Sequence, residues 1–227
     1  MKLSDELIVF LAHRPQSEET AHWYECNLEE AIVFFGDCEV MDIDALALAK
    51  YYRHVQSEAL KEWSKFNRMR ALKAVMRSAG SSEEVPLPRR PQGHYETADD
   101  ESVRLFIADL ISCDTWTAKR DLAIVELLAE SGARRQGVAD AKLKDLDMQR
   151  RKLWVTEKFN KSRFVYFGGL AFDSIVDWLA VRPSGSDYLF TKEDGQRMTK
   201  DAISSMFKRR SSRCGVHLSA HMLRHRW

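Results

Sequence analysis

Apolar residues recur at three- and four-residue spacing through the first eighty residues, a pattern that predicts helices. We predict one helix over residues 17–35, because Ser17 suits its start and Gly36 its end. A second follows over about 42–55, and a third carries a stripe from Trp63 to Met76. The first part of the chain is therefore predicted to be a helical bundle.

A basic stripe accompanies the apolar one on the third predicted helix. Lys61, Lys65 and Arg68 fall on one face at positions i, i+4 and i+7. A helix that is apolar on one side and basic on another suits a bundle that faces a polyanion such as DNA. These three residues are therefore candidate DNA contacts.

Glycine and proline mark a boundary in the middle of the chain. Gly80-Ser81-Ser82 is followed by Pro86, Pro88 and Pro91, a composition that favours an extended linker. We therefore predict a helical domain over residues 1–83, a linker over 84–94 and a second domain over 95–227.

The second domain combines helical and strand-like patterns. Three strand-like stretches lie close together and are joined by short polar turns, which favours a small antiparallel sheet set among helices. The whole chain is then mainly α, with an α+β second domain. The predicted helices cover 98–112, 118–132, 171–180, 199–212 and 217–227, and the predicted strands are Leu143–Leu146, Leu153–Glu157 and Arg163–Phe167.

Charge is distributed unevenly although the formal net charge is only +1. Residues 1–60 hold 12 acidic and 4 basic side chains, whereas Lys61–Arg77 holds 6 basic residues and one acid. From Arg197 to Trp227 there are 8 basic residues against Asp201 alone. Two separate basic blocks fit a protein that holds DNA from two sides, and two solvated helix faces remain the alternative.

Composition argues against a membrane protein. No apolar run approaches the roughly 20 residues that a membrane helix needs. Acidic Asp5 and Glu6 precede the apolar patch at Leu7–Ala12, so no export signal is expected and the protein is predicted to be cytoplasmic. The four cysteines form no CxxC pair and are expected to be reduced.

Three short motifs in the second domain occur in a fixed order. Gly132-Ala133-Arg134 ends a predicted helix and leads to Asp145-Leu146-Asp147, and a predicted hairpin carries Lys158, Lys161 and Arg163. The third motif, residues 215–225, reads Gly-Val-His-Leu-Ser-Ala-His-Met-Leu-Arg-His. Together these motifs resemble the tyrosine recombinase, or phage integrase, family over essentially the whole chain.

The resemblance implies a fold and an activity. It implies a helical core-binding (SAM-like) domain followed by a catalytic domain that breaks and rejoins DNA strands, with no cofactor and no metal. Arg134 and Arg224 would bind the scissile phosphate, with His221 as the catalytic histidine and Lys158 as the catalytic lysine. Lys161 and Arg163 would lie near the DNA backbone. Double-stranded DNA and other recombinase protomers are the expected partners.

The residue types suit this chemistry. Guanidinium groups neutralise the charge that develops on phosphate oxygens, and a desolvated lysine can act as a general acid for a departing hydroxyl. His221 and Arg224, at i and i+3 of one predicted helix, point the same way and could bind one phosphate together.

The sequence departs from the family pattern at two points. The family's nucleophilic tyrosine follows the His-x-Leu-Arg-His segment, but all six tyrosines here precede it, so this chain is expected to bind DNA without cleaving it alone. The catalytic domain is accordingly predicted to be incomplete at its C-terminus. Gly137 also stands where the family usually has an acidic residue.

Two alternatives remain open from the residues alone. One is a non-catalytic DNA-binding regulator or competitor derived from a recombinase. The other is a zinc-binding domain, because histidines four residues apart on a helix are good zinc ligands. Its ligands would be Cys214, His217, His221 and His225.

Overall fold

The computed structural model describes residues 1–13, 17–93, 96–157 and 161–227, with Glu157 described by its backbone only. The chain divides into two compact units, Met1–Gly93 and His94–Trp227. Among the described residues, no helix combines the length and apolar character that crossing a bilayer requires.

The first unit is a helical bundle with a single apolar core. The side chain of Ser17 caps its second helix by accepting a hydrogen bond from the backbone N–H of Thr20, and Gly36 ends that helix with a φ of 69°. Leu28, Tyr51 and Leu72 are fully buried at its centre. The helices are α1 (Leu3–Ala12), α2 (Glu18–Phe35), α3 (Ala45–Ser57) and α4 (Glu62–Ser78).

The second unit places helices around a three-stranded antiparallel sheet in the order β1-β2-β3. Its strands are β1 (Leu146–Asp147), β2 (Lys152–Glu157) and β3 (Lys161–Tyr166). Its helices are α5 (Asp100–Ile111), α6 (Trp116–Ser131), α7 (Arg135–Ala139), α8 (Gly169–Val181), α9 (Lys200–Cys214) and α10 (Ala220–Arg226). The predicted fold class, mainly helical with a small antiparallel sheet, is confirmed.

Helix α6 is the central element of this unit. Its residues from Ala123 to Leu128 are all buried, which is unusual for a helix with only one apolar face. A buried ion pair joins the guanidinium of Arg120 to the carboxylate of Asp121 at 2.7 Å near its start. Because α6 is surrounded on all sides, its C-terminal end holds the following loop in a fixed place.

One local prediction was wrong, and one helix was not predicted. The strand predicted over Leu143–Leu146 is a 3₁₀ turn over Leu143–Asp145 followed by the two-residue β1. The backbone N–H of Leu143 donates to the carbonyl of Asp187 at 2.8 Å, so this segment bonds to a loop before it reaches the sheet. The N-terminal segment, for which no element was predicted, forms α1 with Leu3 and Phe10 in the core.

Candidate functional site

A cleft of about 1110 Å³ lies in the second unit, bounded by the start of α7, one face of α9 and the start of α10. The described residues that line it include no Asp or Glu. Its ionisable lining residues are Arg134, Arg135, Lys200, Lys208, His217, His221 and Arg224. A cleft lined by positively charged groups attracts anions and raises their local concentration.

Arg134 reaches this cleft through a tight turn after α6. Gly132 ends α6 in the left-handed conformation, with a φ of 56°, and Ala133 is fully buried behind it. The hydroxyl of Ser131 accepts a hydrogen bond from the N–H of Ala133 at 3.2 Å. Arg134, the residue just before α7, then has an extended backbone and is exposed. The turn therefore fixes the backbone from which the side chain of Arg134 extends.

Helix α10 brings His221 and Arg224 to the same cleft. The hydroxyl of Ser219 caps the helix by accepting from the N–H of Met222 at 3.3 Å. Met222 and Leu223 are buried on the opposite side and fix the orientation of the helix. His221 and Arg224 are one turn apart, and both line the cleft as the sequence predicted.

The two predicted phosphate-binding arginines are connected through the backbone. A guanidinium nitrogen of Arg224, Nη1, donates to the carbonyl of Gly132, two residues before Arg134. The loop that carries the first arginine is thereby tied to the helix that carries the second. Arg134, His221 and Arg224, which come from two distant stretches of sequence, meet at one site.

The environment of His221 disfavours its charged form. Burial is the largest cause that lowers the pKa of His221 below 6.5, and the neighbouring charges of His225, Arg224 and Arg135 lower it further. The Nε2 atoms of His221 and His225 lie 2.8 Å apart, and the two rings meet edge to face with centroids 4.1 Å apart. His221 is thus a largely neutral hydrogen-bonding group in a cationic cleft.

The predicted hairpin is present, but its tip is not described. Lys158, the predicted catalytic lysine, lies outside the described residues, so its assignment stays a prediction. Lys161 and Arg163 lie on β3, on the same face as the buried Val165, and emerge from the core toward the tip. Lys161 is exposed and Arg163 is half-buried.

The basic stripe on α4 is not an open basic face. The ammonium of Lys65 donates to the carbonyl of Gln56 at 3.1 Å and pairs with the carboxylate of Glu62, also at 3.1 Å. Arg68 contacts the carboxylates of both Glu30 and Glu58, whereas Lys61 is exposed at the start of the helix. Contact between these three residues and DNA stays a prediction.

One group of possible metal ligands occurs within the described residues, and it lies in the first unit. Ligand atoms of Glu30, His54 and Glu58 lie within 4.8 Å of one another. The guanidinium of Arg68 contacts both carboxylates and supplies the positive charge that a metal ion would bring. We interpret the group as an ion-pair network that joins α2, α3 and α4.

The structure does not bring together the predicted zinc ligands. Among the described residues, no group that could hold a metal contains Cys214 or His217. The thiol of Cys214 donates to the carbonyl of Arg210 at 3.1 Å, and His217 lies 3.5 Å from the carboxylate of Glu96. Only His221 and His225 are in contact, so the zinc interpretation loses its geometric basis.

Gly137 is buried within α7, where the family pattern has a carboxylate. Asp140 follows three residues later, at the end of α7. It accepts a hydrogen bond from the side chain of Gln136 at 2.5 Å and pairs with Arg197. Gln136 lines the cleft, so Asp140 restrains a cleft residue indirectly.

Three further basic residues of the cleft were not singled out from the sequence: Arg135, Lys200 and Lys208. The excess of basic residues after Arg197 was the available signal. Lys200, Ser204 and Lys208 repeat every four residues on α9, which places them on one face of that helix. The sequence did not indicate which other elements that face would meet.

The chain is similar to known recombinases. The model of the phage integrase family matches residues 100–227. The tyrosine recombinase XerC of Alcanivorax borkumensis is 26% identical over 237 residues, covering 95% of this chain and 76% of that protein. The XerC of Corynebacterium glutamicum is 35% identical over 124 residues, covering 53% of this chain and 40% of that protein.

Solved structures share the fold. A lambda integrase tetramer bound to a Holliday junction aligns with a TM-score of 0.79 at 16% identity, over 100% of this chain and 69% of that chain. The XerH site-specific recombinase bound to its difH substrate aligns with a TM-score of 0.71 at 17% identity, over 99% and 73%. At these identities the likeness concerns the arrangement of elements.

Proposed function

This chain belongs to the phage integrase family, and we propose on that premise that it binds double-stranded DNA in site-specific DNA recombination or integration. The observation that supports the proposal most strongly is the cleft where Arg134, His221 and Arg224 meet. Because each DNA phosphate carries one negative charge, a cleft whose described lining has no carboxylate suits a phosphodiester.

The proposed roles follow from the side-chain chemistry. Arg134 and Arg224 would each offer a fork of N–H donors to the non-bridging oxygens of one phosphate. His221, held largely neutral, would donate one ring N–H to the same group. Lys158 would supply the proton to a departing 5′-hydroxyl, as the family resemblance implies.

Basic residues outside the cleft would hold the flanking DNA. We propose Lys161 and Arg163 on β3 as contacts to the backbone near the scissile phosphate. In the first unit, Lys61 is the member of the α4 stripe whose exposure suits such a contact directly. Lys65 and Arg68 would first have to leave their carboxylate partners, which makes their contribution smaller.

Strand cleavage by the family's chemistry would require a tyrosine nucleophile. No tyrosine is among the described residues that line the cleft, and the six tyrosines of the chain all precede His221 in sequence. We therefore propose that residues 1–227 bind and polarise a phosphodiester without cleaving it.

A binding measurement with matched variants tests the proposal. We expect the full chain to bind a fluorescein-labelled duplex in an anisotropy titration, and Arg134→Ala and Arg224→Ala each to weaken binding by about tenfold or more. Each variant should also reduce the slope of log affinity against log salt by about one unit, because one phosphate contact is lost.

Arg104→Ala provides the control for this experiment. Arg104 is exposed on α5 and pairs with Glu101 on the same helix, so its removal changes the net charge equally without altering the cleft. If all three variants weaken binding to the same extent, the effect is one of total charge and the cleft is not the DNA site.

A further inference from the structure

An imidazole that the proposed chemistry does not use lies beside the cleft. His225 lies one turn beyond His221 on α10 and is half-buried. Its Nε2 atom lies 2.8 Å from the Nε2 atom of His221. Two nitrogens at that distance form a hydrogen bond only if one carries a proton and the other does not. The two rings therefore share a single proton between these atoms.

We propose that His225 is a positioning residue for His221: its Nε2–H donates to Nε2 of His221, fixes the ring and leaves the Nδ1–H of His221 to donate to the phosphate. This inference rests on the proposed function of the cleft, which it deepens. His225 itself is not among the residues that line the cleft, so it acts through His221.

The geometry around the pair opposes a second proton. Two imidazolium rings in contact would repel each other, and the neighbouring charges that lower the pKa of His221 are all positive. Arg224 lies on the same helix, Arg135 begins α7, and Lys200 and Lys208 extend from α9 along the described lining. No carboxylate of that lining offsets these charges.

This arrangement has a consequence for binding. A hydrogen bond to one ring nitrogen fixes the orientation of an imidazole. It also determines which of the two ring nitrogens carries the proton. With Nε2 occupied by His225, His221 presents one defined nitrogen to the ligand. A phosphate entering the cleft meets a ring that is already oriented.

Direct titration of His221 by NMR tests the proposal in the full chain without DNA. His225→Gln removes the neighbouring imidazole charge and keeps an amide that can hydrogen-bond to the ring. We expect the pKa of His221 to rise toward its ordinary value in this variant, since the charge of His225 is one of the causes that lower it. His22→Gln, at an exposed position on α2, is the control and should leave the titration of His221 unchanged.

Duplex binding supplies the second readout. We expect His225→Ala to weaken binding at pH 7 by about threefold to tenfold, as for the loss of one orienting hydrogen bond, and His225→Gln to restore most of that affinity. Backbone amide spectra of both variants verify that the fold is intact.

Either of two results would overturn the proposal. One is a titration of His221 that is unchanged in His225→Gln, and the other is wild-type affinity in His225→Ala. A wild-type chain that binds no duplex would instead refute the proposed function, while the NMR titration would still decide whether the two rings are coupled.

Discussion

Glu126 shows how a single buried carboxyl can set the response of this fold to pH. Its side chain is 5% exposed on α6, and burial raises its pKa to about 7, with the negative charge of Glu130 adding to the shift. The unfolded chain releases this proton near pH 4.5, whereas the folded chain keeps it until about pH 7. The contribution of Glu126 to stability is therefore fully present below about pH 4.5 and is lost as pH rises through this window.

Glu126→Gln should remove this dependence, because glutamine is neutral at every pH and similar in shape. We expect the wild type to lose about 3 kcal/mol between pH 5 and 8 from this group and the variant to lose far less. Urea unfolding midpoints at the two pH values measure the difference. Glu193→Gln, at an exposed position of the same unit, should behave as the wild type does.

The junction of α6, α7 and α10 depends on one glycine. Gly132 has a φ of 56°, and a Cβ added there would lie 2.6 Å from ring carbons of Trp227. Its carbonyl also accepts from Arg224. A side chain at this position would therefore strain the turn and displace the ring that covers it.

Gly132→Ala should reduce stability by about 1–2 kcal/mol through backbone strain, with a further loss from the Trp227 contact. Gly195→Ala measures the backbone strain alone, since Gly195 has a φ of 78° and nothing lies within 4 Å of an added Cβ. Thermal unfolding of both variants measures the difference. Equal losses would show that the Trp227 contact contributes nothing.

The sequence predicted the longer elements better than the site. Gly36 ended a helix as expected, because a left-handed glycine cap is a local property. The apolar pattern of Leu3, Leu7 and Phe10 did not indicate α1 clearly, because the segment is short and flanked by polar residues. Arg68 was predicted to contact DNA, and local spacing does not show its carboxylate partners, Glu30 on α2 and Glu58 at the end of α3.

The candidate site was predictable where a motif carried it and not elsewhere. Arg134, His221 and Arg224 were identified from short motifs and do line one cleft. Lys200 and Lys208 were visible only as part of a basic block, since their place in the cleft depends on how α9 packs in the second unit. Tertiary packing decides which side of such a helix faces a ligand.

The chain has a cleft that suits a phosphodiester, and no tyrosine is among the described residues that line it. We expect no covalent protein–DNA product when residues 1–227 react with a nicked suicide substrate, as judged on a denaturing gel. Addition of a full-length family member supplies the positive control for the substrate. A covalent band from the chain alone would identify a tyrosine in this sequence as the nucleophile.

The bond from Arg224 to the carbonyl of Gly132 commits one of five guanidinium donors to the protein itself. The spacing of the two arginines is thus set before DNA arrives, and less side-chain freedom is lost when the complex forms. A lysine at position 224 could satisfy either the carbonyl or the phosphate with its compact head group, but it lacks the planar fork that reaches both. Arginine suits this position because it can bond to the carbonyl of Gly132 and also offer donors to a charged ligand.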